Sequence, residues 1–183
     1  MHTAVLVVDM VKDSLELAHD ERVAARGRAI LEPVNRLTAG ARGRGWPVIF
    51  TTDSFLPGDF LFGGRMPPHS IRGTGGAEVS GLLTREPGDH WLPKRRMSAF
   101  FKTDLDQSLR LWGVRRVAVA GLMTPYCVLT SALDAIANDF QAVIVDDASN
   151  AHNDQAHAAC LDLYRKSVLR PLLSVQTVDE LLA

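Results

Sequence analysis

Six short apolar runs, most of them separated by amphipathic stretches, restrict this chain to a small set of folds. The runs are Thr3 to Val8, Pro47 to Thr51, His90 to Pro93, Val114 to Ala120, Ala142 to Val145 and Leu172 to Val175. Segments such as AVLVV and VRRVAVAG lack a consistently polar alternate face, as strands do when helices cover both sides of a sheet. Helical patterns occupy Glu21 to Arg42, Asp104 to Trp112, Pro125 to Asn138 and Asn153 to Lys166, with a short one near Val178 to Leu182. The reading is α/β: a three-layer α/β/α sandwich around a mainly parallel sheet of about six strands. With 183 residues and 46% hydrophobic content there is material for one substantial core, so a single domain over residues 1–183 is expected. Asp53 to Arg85, rich in Gly and Pro, reads as a long irregular excursion of the functional kind.

The formal net charge is −1, which provides no broad positive field for nucleic acid or an anionic membrane. The run Lys94, Arg95, Arg96 is too brief to change that. Met1 to Met10 enters an apolar run without a basic leader, and no stretch approaches membrane-spanning length, so a cytoplasmic protein with small-molecule partners is expected. Two cysteines, Cys127 and Cys160, form neither a disulfide framework nor a zinc cluster. Cys160 lies at helical spacing and reads as a packed thiol without a role. His152 and His157 are five apart, which does not align them as a metal pair, and both are expected at the surface.

In an open parallel sheet, ligands bind beyond the carboxyl ends of the strands where strand order reverses. Four such ends carry reactive residues: Asp9, Asp53, Lys94 and the GLMTPYC segment. In that segment Thr124 suits a helix N-cap and Pro125 the first helical position, placing Cys127 in the first turn, where unpaired N–H groups and the helix dipole lower a thiol pKa. Taken alone, Cys127 reads equally as a small apolar residue under the sheet. Asp9 reads as a base or as a turn cap. For Lys94 alone, a solvated basic cluster is the better reading. Together, an acid, a lysine and a thiol at separate strand ends supply what nucleophilic catalysis needs.

Four motifs in order resemble those of the isochorismatase-like cysteine hydrolases, a superfamily that includes nicotinamidases, N-carbamoylsarcosine amidohydrolase and ureide-cleaving amidases. VLVVDM matches the opening strand with its aspartate, Asp9. KRRMSAFFKTDL matches a K-x-x-x-S-x-F-x-x-T-x-L segment, giving Lys94, and GLMTPYCVLTSALDA matches G-x-x-T-x-x-C-V-x-x-T-x-x-D-A, giving Cys127. PPHSIRGTGGAEV matches a P-x-H-x-x-x-G-T-x-G-A-E loop containing His69. The resemblance departs at DMVKDSL, where Val11 and Leu15 replace common Gln and Phe, and at DSF, where Phe55 replaces a metal-ligating histidine. Asp53 and His69 then survive as a two-ligand remnant, too few for a zinc site, so no metal and no other cofactor is expected.

The resemblance implies cleavage of a carbon–nitrogen bond in a small amide or ureide through a Cys127 thioester. Asp9 would take the thiol proton, Lys94 would stabilise charge, and the Met123 and Cys127 N–H groups would form the oxyanion hole. It also implies a cis Leu122–Met123 peptide and a homo-oligomer, a dimer or tetramer. Phe55, His69 and Tyr126 are candidate pocket residues. Two competing readings stand beside this one: enol-ether hydrolysis of the isochorismatase type, and a catalytically silent binding protein.

Overall fold

The computed structural model describes residues 2–17 and 20–183. Six strands, β1 (Thr3–Val8), β2 (Val48–Asp53), β3 (His90–Lys94), β4 (Arg116–Leu122), β5 (Gln141–Asn150) and β6 (Leu173–Gln176), form one sheet in the order β3-β2-β1-β4-β5-β6. Every neighbouring pair is parallel. The helices are α1 (Lys12–Leu15), α2 (Glu21–Arg28), α3 (Leu31–Gly43), α4 (Leu105–Leu111), α5 (Leu129–Ala137), α6 (Asp154–Arg165) and α7 (Val178–Leu182). None is long and apolar enough to cross a membrane.

Alternation along the buried strands builds two cores. Ala4, Leu6 and Val8 of β1 join Leu109 of α4, Ala132 of α5 and Leu161 of α6 on one face. Val5 and Val7 join Val34 and Leu37 of α3 and Val178 of α7 on the other. Both faces of β1 are closed to water, which explains its unbroken apolar run. This is the expected sandwich.

The chain winds outward from β1 through β2 to β3, then returns to start β4 on the other side of β1. The switch point therefore lies between β1 and β4. Gly121 permits the close approach there: its φ is +109°, and a Cβ at this position would come within 2.2 Å of the Val8 carbonyl oxygen.

Three local expectations need correction. The helix expected over Glu21 to Arg42 is two helices broken at Ala29 and Ile30, because Pro33 has no N–H for a continuing helix and fits only a first turn. Strand β4 begins at Arg116, since the Val114 N–H closes the end of α4 on the Leu109 carbonyl. Strand β5 runs on to Asn150: Asp146 and Asp147 end the apolar run, but after a register shift Ser149 and Asn150 pair again with Gly121 and Leu122. The excursion after β2 is irregular, as expected, with two short 3₁₀ turns and a parallel bridge between Phe55 and Ile71.

Candidate active site

Asp9 follows β1 with φ of +54°, a left-handed conformation that aspartate tolerates better than most residues. Its Oδ1 accepts the Asp53 backbone N–H at 2.8 Å, tying the end of β1 to the end of β2. Lys94 ends β3, directly opposite Asp53 in the strand register. The loop after it is internally braced: the Ala99 N–H donates to Ser131 Oγ on α5 at 3.0 Å, and Thr103 Oγ1 donates to the Ala99 carbonyl at 2.5 Å. Cys127 follows β4, at the far side of the switch point from β2 and β3.

These segments meet at the Lys94 ammonium. Its Nζ lies 2.8 Å from Asp9 Oδ2, 2.5 Å from Asp53 Oδ1 and 3.5 Å from Cys127 Sγ. Lys94 is 1% exposed, Asp9 6%, Asp53 7% and Cys127 7%, so solvent screens this cluster little. The sequence places Asp53 at a reactive strand end and gives it a role only in a metal remnant; the structure makes it a second carboxylate on the same cation. Strand register decides that contact, and no local sequence pattern reveals which strand ends adjoin.

Burial opposes the Lys94 charge, but Asp9, Cys127 and Asp53 outweigh it and hold the ammonium firmly protonated. Burial and then the Asp9 charge push the Asp53 carboxyl up to about 7, against the pull of Lys94. Burial, followed by the Asp9 charge, likewise pushes the Cys127 thiol well above its ordinary range. That reverses the lowered thiol expected from a helix N-terminus. The turn holding Cys127, Thr124–Val128, is a wide π-type turn, and the sulfur faces two carboxylates as well as one ammonium.

The turn has a further property. The Met123 carbonyl accepts from the Tyr126 N–H at 2.9 Å and the Val128 N–H at 3.4 Å, passing over the N–H of Cys127 between them. The Leu122–Met123 peptide is cis, in line with the resemblance. Thr124 does not cap the helix: Met123 occupies the cap position, and the Thr124 hydroxyl pairs with His157 Nδ1 at 2.8 Å. His157 is accordingly half-buried rather than on the surface, with its Nε2 3.0 Å from Asp146 Oδ1. A contact spanning 33 residues leaves no local trace in the sequence. Cys160 Sγ lies 3.8 Å from the Thr124 carbonyl, and burial raises its pKa.

Of the pocket candidates, Phe55 is 1% exposed and packs edge-on against Phe62 at 5.2 Å and His69 at 5.4 Å, so its ring serves the interior of the excursion. His69 Nδ1 lies 2.8 Å from the Pro67 carbonyl oxygen, a contact in which only the ring nitrogen can be the donor. Tyr126 is half exposed and stacks on His152. Phe55 brings no ligand atom beside Asp53 and His69, and the Asp9, Asp53 and Cys127 ligand atoms, all within 4.8 Å of one another, already surround the ammonium of Lys94.

Residues 3–176 match the isochorismatase domain. The chain belongs to the isochorismatase family. It is 34% identical to a protein of Arabidopsis thaliana described as a probable inactive nicotinamidase, over 94% of this chain and 93% of that one. Among solved structures, N-carbamoylsarcosine amidase from Thermoplasma acidophilum superposes with a TM-score of 0.83 at 29% identity, covering 98% of each chain. Nicotinamidase PncA from Bacillus subtilis superposes with a TM-score of 0.82 at 30% identity, covering 96% of this chain and 99% of that one. Membership thus agrees with the four sequence motifs.

Proposed function

We propose that this protein hydrolyses the carbon–nitrogen bond of a small amide or ureide through a thioester on Cys127. The observation that carries the reading is the buried Lys94 ammonium, in reach of both the Asp9 carboxylate and the Cys127 sulfur. Amidase and nicotinamidase activities named for similar structures support the same class of bond.

Asp9 Oδ1 is held by the Asp53 N–H, and Oδ2 meets the Lys94 charge without a well-formed hydrogen bond, which leaves it a lone pair for the thiol proton. Because the thiol rests protonated, proton transfer to Asp9 accompanies attack of sulfur on the carbonyl carbon. The carbonyl π pair moves onto oxygen, and the N–H groups of Cys127 and Met123 hold that oxyanion. Collapse of the tetrahedral adduct breaks the carbon–nitrogen bond as Asp9 returns its proton to the leaving nitrogen. Water, deprotonated by Asp9, then hydrolyses the thioester, releasing the acid and restoring the thiol. The Lys94 ammonium stays 2.8 Å from Asp9 Oδ2, beside the charges that form in each half-reaction.

The complete acid, lysine and thiol set weighs against a silent binding protein, and the thiol at the switch point weighs against an enol-ether hydrolase needing no nucleophile. The test is intact-mass analysis after incubation with a panel of primary amides and ureides, together with an ammonia-release assay. An acyl adduct is expected on Cys127, and Cys127→Ala should lower turnover by more than about a thousandfold while the protein stays folded. Undiminished turnover in Cys127→Ala would refute the mechanism.

A further inference from the structure

His157 has no part in the acid, lysine and thiol set, yet both nitrogens of its ring are engaged. Nε2 lies 3.0 Å from Asp146 Oδ1, and Nδ1 lies 2.8 Å from the Thr124 hydroxyl. A carboxylate only accepts, so the neutral ring is assigned its proton on Nε2, and Nδ1 accepts from Thr124. The other oxygen of Asp146 is held by the Arg165 guanidinium, which keeps the acid facing the ring. Asp146 belongs to β5, and Thr124 opens the turn after β4, the neighbouring strand. The imidazole is a rigid spacer between the two, since no rotatable bond separates Nδ1 from Nε2.

The turn depends on such an outside hold. No side chain caps its start, and Thr124 points its hydroxyl at α6 instead. Two residues of α6, one turn apart, address Thr124: His157 meets its hydroxyl and Cys160 its carbonyl. Helix α6 is itself fixed, with Leu161 in the core, the Asn153 side chain accepting the Ala156 N–H at 2.7 Å, and Arg26 paired with Asp154. Thr124 is fully buried, so water cannot replace the ring as partner of its hydroxyl. Met123 precedes Thr124, and the Cys127 N–H sits between the two N–H groups that the Met123 carbonyl accepts. A displacement of Thr124 therefore shifts both oxyanion donors relative to Asp9 and Lys94, which stand at the ends of other strands.

We propose that His157 is a positioning residue for the hydrolysis: through the Thr124 hydroxyl it sets the turn on which the Met123 and Cys127 N–H groups meet the oxyanion. The inference rests on the hydrolase reading and goes beyond it by placing a determinant of rate on α6, outside the reactive cluster. His157 acts at one remove, with no proton of the reaction passing through it. Donors aimed at an oxyanion gain strength as charge develops on that oxygen, so their misplacement by about an ångström costs rate, on the order of a hundredfold.

Two reagents separate this role from simple bracing of the fold. Acetyl transfer from p-nitrophenyl acetate forms the sulfur–carbon bond at a carbonyl, passes through an oxyanion and expels p-nitrophenolate, the thiol proton going to Asp9. Alkylation by iodoacetamide forms its sulfur–carbon bond at a methylene carbon, expels iodide and needs no oxyanion hole. Both rates are read at Cys127 by quenched mass mapping at one pH, and their ratio is compared across variants. Asparagine presents a polar atom where Nδ1 stood and glutamine where Nε2 stood, so each keeps one half of the link. His157→Gln and Thr124→Val are expected to lower the ratio of acetylation to alkylation by about tenfold or more, and His157→Asn to keep it within about threefold of the unsubstituted protein. A smaller fall in either of the first two, or a larger one in His157→Asn, would overturn the proposal while leaving the hydrolase reading in place. Thr124→Val breaks the same contact from the other side and decides the matter alone if His157→Gln does not fold. Absence of acetyl transfer to Cys127 in the unsubstituted protein would overturn both.

Discussion

Asp53 and Lys94 are register partners at the carboxyl ends of adjacent parallel strands, and their ion pair is therefore fixed by the sheet and not by a loop. The same ammonium also answers Asp9, so removing it strands two buried acids. Lys94→Met should destabilise the protein at pH 7 by about 3–5 kcal/mol, the usual cost of breaking a buried pair from one side. Urea unfolding with and without the substitution measures it, and a loss under about 1 kcal/mol would contradict the arrangement.

The raised Asp53 carboxyl gives stability a definite dependence on pH. Between its ordinary value near 4 and about 7, the folded state keeps a proton that the unfolded chain has released. The stabilisation is complete below the unfolded value and is lost as pH rises through about 7, at no more than about 1.4 kcal/mol per pH unit. Unfolding curves from pH 4 to 8 should show this decline from Asp53, and Asp53→Asn should flatten it. An unchanged slope in the variant would place the proton elsewhere.

Cys127 should behave as an unreactive thiol until a substrate arrives. With its pKa raised, the thiolate is a minor species at pH 7, so iodoacetamide should modify it more slowly than free cysteine, and faster as pH increases. Mass mapping distinguishes it from Cys160, which is only half-buried. Rapid alkylation at pH 6 would mean a preformed thiolate, and with it a different first step.

His157 braces the turn that holds Cys127 through the fully buried Thr124 hydroxyl. His157→Ala removes the partner and should cost about 1–3 kcal/mol, the usual penalty for an unsatisfied buried hydroxyl. Thr124→Val in the same protein should recover part of that loss, a coupling that thermal or urea unfolding of the four proteins reads directly. Strictly additive effects would show that the pair does not interact.

The sheet and the residues that cluster at its switch point were legible for the same reason: strands covered on both faces spell continuous apolar runs, and Asp9 and Cys127 interrupt or follow such runs with groups that a core does not need. The split between α2 and α3 was also written in the chain, at Pro33, but lay inside a longer periodic pattern. What stayed hidden depends on juxtaposition. Asp53 meets Lys94 only through strand register, Asp59 neutralises Arg95 and Arg96 from the excursion, and His157 reaches Thr124 from the other end of a crossover. The thiol was misjudged for a related reason, since a helix start predicts a depressed pKa only where the sulfur is not buried and no acids stand opposite.

The reversal of winding between β1 and β4 has a consequence for how the chemistry comes into being. Sulfur and carboxylate arrive on neighbouring central strands that were laid down at opposite ends of a long detour through β2 and β3. Until that detour closes, the chain owns an ordinary thiol and an ordinary acid. The raised thiol pKa and the native topology then arise in the same cooperative event, which makes the state of one sulfur atom a gauge of whether the whole sheet has formed.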